Sequence, residues 1–300
     1  VSRRELQVLR EGGAFFEAPR WHEGRWWVSD FYRHVVVRVD EEGREEVVAE
    51  VPGQPSGLGF LPDGRLLVVS MRDHRVLRQE PDGGLSLHAD LSEHAGGWLN
   101  DMVVDGRGRA YVGDFGFDLM NGGDPRPTGL ERVDPDGRVT RVAEGLFFPN
   151  GAVVTPDGGT LVVGETGACR YRAFRIEPDG ALVDEGVWAQ LAPEPVLGTF
   201  AETMPQIRVA PDGCCLDAEG CIWSADAVGR RCLRVARGGQ ILEQVDAPEG
   251  LGIFACMLGG DDGRTLLLCA APDFFEQLRS VAREAVLLTT RVEVPHAGLP

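Results

Sequence analysis

The stretch NGAVVTPDGGTLVVGETGACRYRAFRIEPDG, Asn150–Gly180, decides the fold. An apolar run meets a Thr-Pro-Asp-Gly turn ending at Gly158, and the β-branched run TLVVGE follows it. Such runs bounded by Pro-Asp-Gly turns mark short strands joined by hairpins. A third run, RYRAFRI, ends on a second Pro-Asp-Gly. The unit recurs along the chain. One copy is APRWHEGRWWVSDFYRHVVVRVDEEG from Ala18, another is SGLGFLPDGRLLVVSMRDHRVLRQEPDG from Ser56, and a third is DGCCLDAEGCIWSADAVGRRCLRVARGG from Asp212.

Six turn glycines anchor the alignment: Gly24, Gly64, Gly108, Gly158, Gly220 and Gly263. Each precedes a second strand (RWWVSD, RLLVVS, RAYVGD, TLVVGE, CIWSAD, TLLLCA). Their spacing, roughly 40 to 60 residues, is that of four-stranded propeller blades with insertions. The sequence therefore predicts an all-β, six-bladed β-propeller of four-stranded antiparallel blades around a central channel, one domain over residues 1–300. Helical periodicity is confined to Asp273–Ala282, and a strand is expected over Ala285–Pro295. The sixth unit then has three strands of its own. The segment Glu5–Arg10 is expected to supply the fourth and remove an open edge.

Eight residues before each of the last five anchors stand Ser56, Asn100, Asn150, Asp212 and Ala255; seven before the first stands Glu17. In a propeller this column faces the channel. Glu17, Asn100, Asn150 and Asp212 would form a ring of oxygen donors carrying two negative charges, a site for one divalent metal ion. Calcium suits an irregular oxygen cage best; magnesium, manganese and zinc are the alternatives, zinc disfavoured by the lack of histidine. The competing reading makes Pro149-Asn150-Gly151 and Pro211-Asp212-Gly213 ordinary turns.

Composition narrows the function. The chain has 30 basic and 47 acidic residues, a net charge of -17. Nucleic acid and anionic membrane partners need a basic face, so neither is expected. No apolar run is long enough to span a membrane, and the start lacks a signal-peptide pattern, which predicts a cytoplasmic protein. The seven cysteines include no CxxC pair and read as small buried apolar residues. A Cys221–Cys232 disulfide is the alternative. GxSxG, HExxH, P-loop and dinucleotide patterns are missing, against serine-hydrolase and nucleotide chemistry.

Four motifs carry a resemblance: FFEAPRW from Phe15, LNDMVVDGRGRAYVGD from Leu99, FPNGAVVTPDG from Phe148 and PDGCCLDAEGCIWSAD from Pro211. In this order they resemble the gluconolactonase, regucalcin and senescence-marker-protein family. The resemblance implies a six-bladed propeller with one divalent metal held by Glu17, Asn100, Asn150 and Asp212, and hydrolysis of a lactone. It also implies Asp212 as the base that takes a proton from the attacking water. Asp101 is a second candidate base; its alternative role is to orient Asn100. Direct attack by Asp212 and attack by a metal-held hydroxide remain open. Other chemistry at the same centre (phosphotriester hydrolysis, hydration or elimination) and a non-catalytic calcium-binding or interaction propeller are the competing functions.

The chain departs from the family at Trp98. Sugar-lactone members often carry an arginine two residues before the asparagine of the Asn-Asp pair, and tryptophan cannot supply its fork of hydrogen bonds. With Phe115, Phe117 and Met120 nearby, Trp98 predicts a substrate mouth more apolar than a sugar site. Glu165 is a further candidate at the channel, and His94 a weaker one. Two insertions, Phe115–Thr128 and Leu191–Val209, are long for simple connections and are expected to be lids or binding loops. The expected partner is a small-molecule substrate.

Overall fold

A computed structural model describes residues 4–298. Among them, strands pair into six four-stranded antiparallel sheets. Five sheets are consecutive meanders, so each short turn sets down the next strand beside the last. The sixth combines Gly252–Gly259, Thr265–Ala271 and Ala285–Arg291 with an outer strand from the N-terminus, Gln7–Gly13. The six anchor glycines all adopt positive φ, between 69° and 84°. L-residues avoid that region, which is why glycine recurs at this turn position.

The innermost strands of the six blades are Phe16–His22, Pro55–Phe60, Leu99–Val104, Pro149–Val154, Pro211–Leu216 and Gly252–Gly259. They are almost wholly buried, because sheets pack on both of their faces. The outermost strands, such as Val139–Leu146, are half-buried or exposed along most of their length. Trp26, Tyr111, Tyr171 and Trp223 fill the space between blades.

Every innermost strand breaks register once against its neighbour. The breaks fall between Glu17 and Arg20, Pro55 and Leu58, Leu99 and Met102, Pro149 and Ala152, Pro211 and Cys214, and Ile253 and Ala255. A bulge re-aims one side chain out of the strict alternation of a strand. Here each falls at the predicted column or, for Glu17 and Ala255, directly beside it. The Pro-Asn-Gly and Pro-Asp-Gly segments therefore lie inside strands and are not turns. Their glycines serve close approach: a Cβ on Gly151 would stand 2.4 Å from Asp212 O, and one on Gly213 would stand 2.5 Å from Ala255 Cβ.

The short helix expected near the end is Glu276–Arg279. The last strand stops at Arg291, earlier than expected, because the chain then turns away from the blade. Pro295 O accepts from Ala218 N at 2.8 Å and Ala297 N donates to Leu216 O at 3.0 Å, tying this segment to the fifth blade. All seven cysteines are buried and free, so Cys221 and Cys232 are not bonded. No helix among the described residues is long and apolar enough to cross a membrane.

Candidate functional site

Glu17, Asn100, Asn150 and Asp212 meet at one end of the channel, on the floor of a cavity of about 380 Å³. Each stands on a bulge of its innermost strand. Ser56 and Ala255 share the column but do not line the cavity. Asn150 Nδ2 donates to Asp212 Oδ1 at 2.6 Å and to Thr166 Oγ1 at 3.1 Å. Glu17 Oε2 accepts the Ala18 N–H at 2.8 Å, where Ala18 takes a positive φ of 48°. Asn100 Nδ2 is buried without a partner.

Charge balance at this floor is uneven. Glu17 is raised well above the ordinary glutamate value, first by burial and then by the negative charge of Asp212. Burial pushes Asp212 up to about 8, with Asp101 adding to the effect. Neither Glu17 nor Asp212 has an ion-pair partner among the described residues. Asp101 is different. Its Oδ1 accepts from Arg20 Nη2 at 3.0 Å and from Met102 N at 2.8 Å. Arg20 is fixed in turn by Met102 O at 2.6 Å and Pro19 O at 2.9 Å. Asp101 is thus neutralised beneath the cavity. It does not hold Asn100, whose amide nitrogen stays unpartnered, and it does not line the cavity as a base at its floor would.

Two buried carboxylates without a cation are costly, and a bound cation relieves that cost. No three His, Cys, Asp or Glu side chains come together as a metal-holding group among the described residues, so a cation here depends on the amide oxygens. No protein donor engages the oxygen of Asn100 or Asn150 among those residues. The donor set, two carboxylates and two carboxamide oxygens around an orphaned amide, fits a hard divalent cation.

The wall is apolar. Trp98, Phe115 and Met120 line the cavity, as the sequence predicts. Phe117 does not. It is 2% exposed, packs behind the wall with Phe147 and Ala168, and meets Phe148 edge to face at 6.3 Å. Glu165 is also elsewhere. It pairs with Arg170 at 2.6 Å and accepts the Phe147 N–H at 2.9 Å. The reason is its own column. Asp30, Asp114, Glu165 and Asp226 all stand opposite the residue that precedes the ring position. Asp30, Glu165 and Asp226 each accept N–H groups from the segment entering the innermost strand. His94 lies beside Glu131, 3.3 Å away, and not at the mouth.

Several wall residues escaped the sequence reading. Phe15, Gln54 and Phe148 occupy the same offset as Trp98, two residues before the ring column, and all line the cavity. That offset was visible in the alignment. Gln54 and Phe148 also take positive φ values of 74° and 56°, an uncommon conformation for such side chains. Both insertions reach the cavity: Leu119 and Met120 from one, Phe200 and Met204 from the other. They meet where Phe200 N donates to Asp124 Oδ1 at 2.9 Å.

Known proteins resemble this chain in sequence and in fold. Residues 15–272 match the family described as the SMP-30/gluconolactonase/LRE-like region. The chain is 25% identical over 299 residues to a 6-deoxy-6-sulfogluconolactonase of Pseudomonas putida, covering 98% of this chain and 96% of that one. It is 28% identical over 266 residues to a pentonolactonase of Haloferax volcanii, covering 85% and 81% of the two. A calcium-binding regucalcin from Agrobacterium tumefaciens superposes with a TM-score of 0.79 at 21% identity, covering 99% of this chain and 97% of that one, a likeness of fold. The family match spans Glu17, Asn100, Asn150 and Asp212 and the innermost strands of all six blades, and on that ground the chain belongs to the SMP-30/gluconolactonase/LRE-like family.

Proposed function

We propose that the protein is a divalent-cation-dependent hydrolase that opens lactones. The observation that carries this reading is the pair Glu17 and Asp212, two buried carboxylates with no cationic partner, facing a cavity beside two amide oxygens. Glu17, Asn100, Asn150 and Asp212 would hold the cation, with calcium first among the candidates for an all-oxygen set. When bound, such an ion supplies Lewis-acid polarisation of the ester carbonyl and positive charge for the developing oxyanion.

The remaining work falls to side chains of the chain. Asn150 fixes Asp212 through Oδ1, which leaves Oδ2 to take a proton from water. The water oxygen bonds to the carbonyl carbon, and the carbon–ring oxygen bond breaks. The proton held by Asp212 passes to the departing ring oxygen. The product is an open hydroxy acid, with no other reactant consumed. Apolar walls limit the water around the reacting carbonyl. The Arg20–Asp101 pair ties the innermost strand of the first blade to that of the third.

The test is lactone hydrolysis followed by proton release, after chelation and after adding back calcium, magnesium, manganese and zinc singly. A thermal melt accompanies each condition. Turnover and melting temperature should fall on chelation and return together with one of the ions. A folded protein that turns over no lactone under any condition would sink the proposal. Asp212→Asn should abolish turnover while the protein stays folded.

A further inference from the structure

The cavity wall carries information about the substrate beyond the reaction itself. Polar side chains on that wall are few, and their hydrogen bonds are already made inside the protein. Tyr32 Oη donates to Phe274 O at 2.6 Å. Thr166 Oγ1 donates to Pro211 O at 2.5 Å and accepts from Asn150. Gln54 Oε1 accepts both Arg72 Nε at 2.9 Å and Arg72 Nη2 at 2.6 Å, and its amide nitrogen points to Met71 Sδ at 3.2 Å. The Arg72 guanidinium stacks 4.8 Å from the Trp98 ring and also bonds Glu276, so it is held against the wall and is not a lining residue. Among the described residues, the Trp98 indole N–H and the Asn100 amide are the neutral lining donors without a protein partner.

The rest of the wall is aromatic or aliphatic. Phe15 meets Phe254 edge to face at 4.9 Å, and Phe115 meets Phe148 the same way at 4.8 Å. Phe274 and Phe275 stack at 4.8 Å at the rim, where Phe275 is 51% exposed. An exposed aromatic pair at a cavity mouth is suited to apolar contact.

We infer that the substrates of this site are apolar lactones whose ring bears an alkyl or aryl substituent, and that polyhydroxylated sugar lactones are poor substrates. The inference rests on the lactone-hydrolysing reading for the position of the reacting ring. Each sugar hydroxyl placed against this wall would lose water without a replacement partner, a penalty of roughly 5- to 150-fold in affinity. Each methylene buried there gains about fourfold. The cavity volume of about 380 Å³ accommodates a ring with a substituent of drug-like size.

The closing experiment has two arms. In the first, kcat/KM is measured with the restoring cation on γ-butyrolactone, on γ-lactones with propyl and hexyl chains, and on gluconolactone beside unsubstituted δ-valerolactone. The expected result is a rise of about fourfold per methylene until the cavity is full, with gluconolactone below δ-valerolactone. Gluconolactone above δ-valerolactone, with no gain from chain length, would overturn the inference and leave the lactonase reading standing. In the second arm, cyclic ketones bearing the same alkyl chains are titrated by calorimetry into chelated protein. Affinity should climb with chain length even if no lactone is turned over, which separates failure of the reaction from failure of the substrate class. Absence of any such trend would overturn the inference. Met120→Ser and Phe275→Ser, at half-buried and exposed rim positions, should each flatten the chain-length trend; an unchanged trend in both would refute the assignment of this wall.

Discussion

Arg20 settles the charge of the channel. Its guanidinium pairs with Asp101 and leaves Glu17 and Asp212 without a cationic partner among the described residues. Arg20→Met should cost about 3–5 kcal/mol in denaturant unfolding, because it strands a buried carboxylate. Adding Asp101→Leu should recover most of that loss. Asp212→Asn acts in the opposite sense on chelated protein: it removes a repulsive charge and should raise the melting temperature. The same variant should lose the stabilisation by cation, which in the parent reaches about 2.7 kcal/mol at a hundredfold excess over Kd. The convergence of Glu17, Asn100, Asn150 and Asp212 on one cavity was legible because the last three stand eight residues, and Glu17 seven, before a turn glycine. The Arg20–Asp101 pair was not, since it joins side chains 81 positions apart that only the ring closure brings together. Glu165 was misplaced because a carboxylate at a strand end looks the same whether it faces a channel or caps the next strand.

At the scale of the element, the bulge decides where each innermost strand delivers its side chain, and in three of them the following glycine (Gly57, Gly151 or Gly213) lets the neighbouring strand come close. Gly151→Ala should destabilise by about 1–3 kcal/mol, since its Cβ would crowd Asp212 O and Cys214 N. It should also weaken the cation-induced thermal shift. Gly57→Ala crowds Met102 N at 2.4 Å and should destabilise similarly while disturbing the cation response less, because Ser56 contributes nothing to the cavity. The second-strand carboxylates give a pH signature. Burial raises Asp30 and Asp114 despite the N–H groups they accept. A raised folded value favours the neutral form, so their contribution is full below the unfolded value of about 4 and is lost as pH rises through each folded value. Asp30→Asn with Asp114→Asn should flatten the fall in stability above about pH 4, measured by melts across pH. Strands and turns were legible because β-branched runs and Pro-Asp-Gly turns repeat. The bulges were not, because a register break leaves no mark in a hydrophobic pattern.

The whole molecule is a ring whose seam is made twice. Gln7–Gly13 completes the sixth blade, and residues beyond Arg291 reach across to the fifth. Deleting residues 4–13 should expose Ala285–Arg291 as an open edge, lower the melting temperature and promote association, read by light scattering. An unchanged melting temperature would show that the seam contributes little. Blade number was legible from the period of the turn glycines. The roles of the two insertions were only partly so: their length marked them, but their meeting at Asp124 and Phe200 depends on the circular order of blades three to five. That seam also imposes a timetable on biosynthesis. Gln7 is synthesised long before its partner Thr289. Five blades can assemble as they emerge, while the Gln7–Gly13 segment must wait unpaired until the Ala285–Arg291 strand has been made. Until it docks, the growing chain presents strand edges to its neighbours, so crowding by other nascent chains is hazardous throughout that interval.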